Sequence, residues 1–118
     1  MTPINITDFY AGDTLVMEFE VRDKRGRPVD LTGASASFAL APVIRAGVVG
    51  STTYVLSSGE GDITFSSNVA TVMLPAGGFT TIGDHQLELQ VILATGQSLT
   101  AARGLFRCNQ ALLPDGVE

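Results

Sequence analysis

The sequence predicts an all-β fold, an antiparallel β-sandwich of about seven to nine short strands. Three observations support this prediction. Apolar and polar residues alternate over several segments, turn residues recur between those segments, and no stretch has the 3.6-residue period of an amphipathic helix. We expect a single domain over residues 1–118, with a short N-terminal arm at 1–9 and a C-terminal tail at 110–118.

Composition excludes several functional classes. The 118 residues are 45% hydrophobic and 16% charged, which is typical of a folded domain. The charged fraction lies below the usual level of about a quarter, a first hint that partners cover part of the surface. The net charge of −5 gives no general attraction to nucleic acid or to an anionic membrane, and no apolar stretch is long enough to span a bilayer. We therefore expect neither nucleic acid nor a membrane among the partners.

The clearest strand, its turn and a plugged loop lie within residues 12–33. Alternate side chains of the strand are predicted to face the core: Leu15, Met17, Phe19 and Val21. Gly26 can adopt a positive φ in the turn that follows. Asp30 is predicted to form an Asx turn, which leaves Leu31 as a lone apolar loop side chain that enters the core.

Further segments follow the same alternation. Residues 34–40 form a second half-buried strand with the core positions Ala34, Ala36, Phe38 and Leu40. Residues 41–61 are a loosely patterned excursion with an edge strand at 52–56, and 63–74 form a hairpin. The segment 2–10 suits an edge strand or an arm better than a central strand.

Residues 84–109 form the predicted closing hairpin. A two-residue loop at Thr95-Gly96 pairs Ala94 with Gln97. This register gathers large and small residues on the core face: Leu87, Leu89, Val91, Ala102, Gly104 and Phe106. It also sets one opposite-charge pair on the other face, Glu88 and Arg103.

The outer face of this hairpin is a predicted docking surface. In the same register Ile92 faces Leu99, and Leu105 lies on the same side, away from the core. The apolar tail segment 111–114 lies next to this face in the sequence. That segment either docks on a partner together with the face or folds back over its own sheet.

One catalytic constellation is available, the pair of His85 and Cys108, which are the only histidine and cysteine. Cys108 continues the inward set of the closing hairpin and is predicted to be inert packing. His85 is predicted to be a partly buried polar cap at the start of its strand. The aspartates lack metal-ligand spacing, and no phosphate-binding or nucleophile motif is present. We therefore expect no enzymatic activity, catalytic residue, cofactor or metal site.

A basic turn follows the first clear strand. It contains four cations, Arg22, Lys24, Arg25 and Arg27. Such a cluster within a tight turn is more often a solvated hairpin tip than a phosphate site. We expect an exposed tip that remains a candidate contact for an acidic partner.

Two runs of turn and core residues carry a resemblance to a known family. The first begins at Gly12-Asp13-Thr14 and continues through 23–34 to Phe38-Ala39-Leu40. The second includes 84–89, Thr95-Gly96 and Arg103-Gly104-Leu105-Phe106. Both resemble the immunoglobulin-like domain at the N-terminus of bacteriophage baseplate upper proteins and related phage tail and virion proteins. In that family a tyrosine commonly stands near the position of His85.

The resemblance implies an immunoglobulin-like sandwich in a phage virion structural protein that acts by protein–protein docking. It would be a tail, baseplate or fibre-attachment adaptor or, alternatively, a capsid decoration protein, present in several copies in a symmetric assembly. Its partners would be other phage structural proteins, in a virion assembled in the bacterial host cytoplasm. A carbohydrate-binding module is a less favoured alternative, because the chain has no tryptophan and only two tyrosines. The residues expected to contact partners are Ile4, Ile6, Ile92, Leu99, Leu105, Leu112 and Leu113.

Overall fold

Nine strands form two sheets in the computed structural model, which describes residues 4–45, 48–51 and 54–110. The strands are β1 (Ile4–Tyr10), β2 (Leu15–Glu20), β3 (Ser35–Arg45), β4 (Val48–Val49), β5 (Tyr54–Ser57), β6 (Ile63–Ser66), β7 (Val69–Leu74), β8 (Gly83–Ile92) and β9 (Ser98–Asn109). A 3-10 turn at Ser58–Glu60 is the single helical element within these ranges.

The two sheets differ in size and pack as a sandwich. The larger sheet has the strand order β1-β9-β8-β3-β4, with β5 also paired to β3, and the smaller sheet has the order β2-β7-β6. Every pairing is antiparallel except that of β1 with β9, which is parallel. The predicted all-β sandwich is confirmed, and the N-terminal segment is an edge strand. The parallel pairing of that strand is the one departure from the predicted antiparallel arrangement.

Alternate side chains of both sheets form one core between them. Strand β2 with the residue that follows it, and the strands β6 and β7, supply one half of the core. These side chains are Met17, Phe19, Val21, Ile63, Ala70, Val72 and Leu74. The larger sheet supplies Phe9, Ala36, Phe38, Leu40, Leu56, Leu87, Leu89, Val91, Ala102, Phe106 and Cys108. The inward positions predicted from the period-two pattern are therefore confirmed for β2, β3 and β8.

Leu31 enters this core from the loop between β2 and β3. Its side chain is 1% exposed, and its amide donates to the carbonyl oxygen of Ser67 at 3.1 Å. Oδ1 of Asp30 accepts hydrogen bonds from the amide of Thr32 at 3.1 Å and from its hydroxyl at 2.8 Å. The predicted Asx turn and the predicted plug are both confirmed.

The closing hairpin, formed by β8 and β9, keeps the predicted register over most of its length. Residues 83–89 pair with 102–108, which includes Glu88 opposite Arg103. Nε of Arg103 lies 3.4 Å from Oε1 of Glu88. The matching of charge on one face and of size on the other was sufficient to predict this part of the pairing.

Near the turn the predicted register is wrong by one residue. The amide of Leu93 donates to the carbonyl oxygen of Gln97 at 2.8 Å, so the loop has the three residues 94–96 and not two. Gly96 ends this loop at φ 91°, the left-handed conformation that such a three-residue hairpin loop requires. A bulge at Ala101 then adds one residue to β9 and returns the strand to the predicted register.

The bulge changes the face on which Leu99 lies. Leu99 is opposite the buried Val91 and not opposite the exposed Ile92. Because directly paired residues share a face of the sheet, Leu99 points to the inner side, where it packs against the core. The prediction that Leu99 belongs to the outer face is therefore wrong, whereas Leu105 pairs with Gln86 on that face.

Strand β1 covers the second half of β9 at close range. Ile4 pairs with Gly104, where an added Cβ would collide with the carbonyl group of Ile4. The register of β1 shifts before Phe9. Nδ2 of Asn109 donates to the carbonyl oxygens of Thr7 and Phe9, at 3.0 and 2.9 Å, so this side chain holds the irregular part of β1.

Replacing Gly104 with alanine should separate β1 from β9 or strain their contact, because the backbone of Ile4 occupies the space of the new methyl group. We expect the free energy of unfolding to fall by about 1–3 kcal/mol in urea denaturation. The matched control is Gly59→Ala, where nothing lies within 4 Å of the added Cβ. A change of about 0.5 kcal/mol or less is expected there, and equal effects of the two variants would contradict the close approach.

The two faces of the closing hairpin can be distinguished by a pair of leucine variants. Leu99→Ser exposes a hydroxyl to the core side and should lower the free energy of unfolding by about 1–2 kcal/mol. Leu105→Ser changes the outer face and should cost about 0.5 kcal/mol. Denaturant unfolding of both variants is the measurement, and equally small effects of the two would show that Leu99 lies on the outer face and that β9 has no bulge.

Candidate functional site

Most of the exposed large apolar side chains lie toward one end of the sandwich. At this end the chain passes from β1 to β2, and the amide of Gly12 donates to the carbonyl oxygen of Phe79, at 3.1 Å, in the connection before β8. We call this the apolar end, and define it by Tyr10, Val16, Ile44, Val48, Val49, Met73 and Ile82. The other two exposed large apolar side chains, Val55 and Ile92, lie elsewhere on the larger sheet.

The most exposed part of the apolar end is the β3–β4 hairpin. Strand β3 pairs with β8 only as far as Pro42. Beyond that residue it pairs with β4, and this hairpin carries Ile44, Val48 and Val49 at 68%, 36% and 41% exposure. Within the described part of the chain the outer edge of β4 has no strand partner. Exposed apolar side chains on a two-stranded projection, which is marginal in isolation, are typical of a contact surface.

Sequence reasoning missed this hairpin, because the glycines in residues 41–61 favoured a loosely patterned excursion. A signal was nevertheless present. Residues 41–50 contain a single charged side chain, and two β-branched apolar pairs flank a short turn sequence: Val43-Ile44, Ala46-Gly47 and Val48-Val49. That pattern predicts a hairpin, and its lack of charge predicts a surface that another molecule covers.

The structure disperses the residues predicted to contact partners. Ile92 is 46% exposed and Leu105 is half-buried, both on the outer face of the larger sheet, whereas Leu99 lies on the inner side. Ile4 and Ile6 are half-buried and pack against the core as part of β1. The last two predicted residues, Leu112 and Leu113, lie outside the described ranges. A shared apolar face built by Ile92, Leu99 and Leu105 is therefore not formed.

Ion pairs between β8 and β9 occupy much of that outer face. Nε of Arg107 donates to Oδ1 of Asp84 at 2.7 Å, and Glu88 and Arg103 form the second pair. The hydrogen bond from Arg107 lowers the pKa of the Asp84 carboxyl. Burying charges that are already paired contributes little favourable binding free energy. The outer side of the closing hairpin is therefore a weaker docking candidate than the apolar end.

The basic turn between β2 and β3 is an ordered, exposed tip at the opposite end. Oδ1 of Asp23 accepts hydrogen bonds from the amides of Arg25 and Arg27, at 2.9 and 3.0 Å, and Oδ2 accepts one from Nε of Arg27 at 3.2 Å. The amide of Arg27 is the largest cause of the lowered pKa of Asp23. Gly26 has φ 78°, as predicted for this turn.

His85 and Cys108 are both buried in the core. The ring of His85 is 1% exposed and packs edge-on against Phe79, with centroids 4.9 Å apart, so the predicted partly buried cap is in fact fully buried. Phe79 comes from the connection between β7 and β8, which folds over the start of β8. Nδ1 of His85 lies 3.0 Å from the carbonyl oxygen of Gly83, and Nε2 has no partner among the described residues.

Cys108 is buried as predicted, at 1% exposure. Burial is the main cause that raises the pKa of its thiol, and the charge of Asp13 adds to it. A protonated and enclosed thiol is a poor nucleophile. The ranges that the structure describes contain no group of three or more histidine, cysteine or acidic side chains that could hold a metal ion. They contain no helix long and apolar enough to cross a membrane.

No protein-family model matches this sequence, and comparisons with curated proteins and with solved structures find no match. The contact surfaces described above are therefore inferred from the geometry of this chain alone.

Replacing Asp23 with alanine should loosen the tip, because the amides of Arg25 and Arg27 lose their acceptor. We expect amide hydrogen exchange at these two residues to accelerate about tenfold or more in NMR measurements. Asp8→Ala removes an exposed carboxylate that makes no hydrogen bond in the described chain, and it should leave exchange at the tip unchanged. Unaltered exchange in the Asp23 variant would show that the side chain does not order the turn.

Proposed function

We propose that this protein is a bacteriophage virion structural protein with an immunoglobulin-like sandwich, a non-enzymatic tail, baseplate or fibre-attachment adaptor that acts by protein–protein docking. The observation that carries the proposal is the β3–β4 hairpin, whose apolar side chains project past the end of the sheet. The resemblance of 12–40 and 84–106 to phage baseplate and virion domains supports the choice of assembly. The partners would be other structural proteins of the virion, which assembles in the host cytoplasm.

Docking would proceed by burial of the hairpin. Ile44 is the most exposed of its side chains, and full burial of an aliphatic side chain of this size contributes about 1.5–3 kcal/mol. The outer edge of β4 can also pair with an extended segment of the partner, which adds backbone hydrogen bonds and orientation. Contacts of this size are weak singly and become strong when several copies bind one symmetric particle.

A carbohydrate-binding module is not favoured by the positions of the aromatic side chains. Among the eight aromatic residues Tyr10 is the single exposed one, at 47%. Tyr54 is half-buried and its ring packs against Phe79, with centroids 5.3 Å apart. A sugar ring would find one aromatic face and no second, so a stacking platform is missing.

The docking proposal predicts that Ile44→Ser/Val49→Ser abolishes association with particles that lack this protein, because the apolar hairpin no longer gains from burial. Co-sedimentation should show a loss of binding of about tenfold or more, with unfolding unchanged to within about 1 kcal/mol. Val55→Ser, which also removes an exposed apolar side chain, is the matched control and should bind normally.

A second variant and imaging complete the test. Ile92→Ser/Leu105→Ser alters the surface predicted from sequence, and loss of binding in this variant alone would move the docking site to the outer face. Electron microscopy of the intact particle would locate the protein. Density at the tail or baseplate supports the adaptor, whereas density on the capsid shell alone would replace it with a decoration protein.

A further inference from the structure

In the described chain, strand β1 is connected to the other strands only through residues 11–14. It belongs to the larger sheet, whereas β2, which follows it, belongs to the smaller sheet and runs back toward the basic tip. This short connection therefore reverses the chain and changes sheet at the apolar end. Gly12 has φ 87° there, and the amide of Asp13 donates to the carbonyl oxygen of Tyr10 at 3.0 Å. We call residues 11–14 the hinge.

The contacts that hold β1 in place come largely from β9, its single strand partner within the described ranges. Gly104 leaves room for the backbone of Ile4. The side chain of Phe9 is buried, and its ring packs against that of Phe106 with centroids 5.0 Å apart. None of these contacts requires that β1 and β9 belong to the same molecule. The β1 strand of a second copy therefore fits the same site with the same contacts.

Exposed apolar side chains flank the hinge on both sides. Tyr10 precedes it, and Val16 follows it and pairs directly with Met73 on the outer face of the smaller sheet. Covering such side chains with a second molecule is favourable. If the hinge extends, β1 points away from the apolar end, so a copy that receives this strand lies against these three side chains. We call them the hinge patch.

The β3–β4 hairpin, on which the proposed docking depends, lies at the other edge of the larger sheet. In the strand order β1-β9-β8-β3-β4, the first and last strands are four strand spacings apart, or about 19 Å. The hinge and the hairpin are therefore separate regions of the apolar end. Each can be altered by substitution without changing the other.

We propose that β1 exchanges between two copies of this chain. Residues 4–10 of each copy pair with β9 of the other, and the hinge extends between the two sandwiches. The hinge patch of each copy then faces the second copy. Because each copy donates and receives the same strand, the contact closes into a two-fold symmetric pair. The inference goes beyond the proposed function and does not depend on it.

The charges near the hinge set the salt dependence of this exchange. Asp13 is exposed and forms no ion pair with the described residues. Arg107, the cation of β9 nearest this end, is already paired with Asp84 at 2.7 Å. In a symmetric pair the two hinges cross near the two-fold axis, so their Asp13 carboxylates repel each other. Asp8, within β1, meets the same surroundings on β9 of either copy. High salt should therefore strengthen association.

A mixed cross-link shows to which copy each β1 is bound. Asn5 pairs with Leu105, and neighbouring strands lie about 4.8 Å apart, within reach of a disulfide. One chain carries Asn5→Cys and the other Leu105→Cys, both with Cys108→Ala to remove the natural thiol. The two are refolded together from urea and oxidised mildly. Strand exchange predicts a covalent pair of unlike chains on a non-reducing gel.

The matched control for this cross-link replaces Leu105→Cys with Ser37→Cys. Ser37 is also in the larger sheet, and it is exposed on β3, three strand spacings from β1. A covalent pair of Asn5→Cys and Ser37→Cys chains can form only by random collision. We expect its yield to be about fivefold lower or less.

Sedimentation equilibrium of the full chain tests the hinge itself. Gly12→Ala should strengthen self-association about tenfold or more, because alanine disfavours the φ of 87° in the closed hinge and not the extended one. The matched control is Gly26→Ala, another glycine of positive φ, at 78°, with nothing within 4 Å of the added Cβ. It lies in the basic tip and should leave association unchanged.

Three results would each overturn the inference. They are a natural chain that stays monomeric up to about 1 mM, a cross-link yield equal to that of the Ser37 control, and equal association of the two glycine variants. The cross-link does not require the Gly12 variant to fold. The Ile44→Ser/Val49→Ser variant tests the proposed function separately, and it should leave the cross-link yield unchanged.

Discussion

The contact between the two sheets depends on Phe19 in β2 and Phe38 in β3, whose ring centroids lie 6.2 Å apart. Both side chains are buried, at 4% and 0% exposure. In each strand the residues immediately before and after the phenylalanine point to the outer face. A slip of one residue in either strand would bring charged or polar neighbours such as Glu18 or Glu20 into the core. The buried pair therefore determines which side chains remain outside and can meet other molecules.

Much of the fold was predictable because burial and local turn chemistry point to the same arrangement. The alternation in β2, β3 and β8 identified the core, and Leu31 had no favourable place other than the interior. The closing hairpin was predicted correctly up to Leu89 because size and charge both matched there. The prediction failed beyond that residue because a loop that ends at Gly96 is one residue longer, and the bulge at Ala101 that compensates for it leaves no signature in an alternating pattern.

The candidate surfaces were less predictable, since exposure depends on which strands end first. Ile44 is exposed because β8 pairs with β3 no further than Pro42. Local composition does not determine how far two strands pair. His85 was expected near the surface, but Phe79, in the connection that leads into β8, covers it. The basic tip was predicted to be exposed, and residues 22–28 are exposed in the structure.

The parallel pairing of β1 with β9 has a mechanical consequence. Ile4 begins β1 at the tip end, and Asn109 ends β9 at the apolar end, so these two residues lie at opposite ends of the strand pair. A pull between these two points loads the hydrogen bonds of the strand pair along the strands, in shear. Bonds loaded in this way share the force and break together, whereas bonds opened from one end of a hairpin break one after another. Under the proposed docking function, a domain held at these two points would transmit tension along its strands.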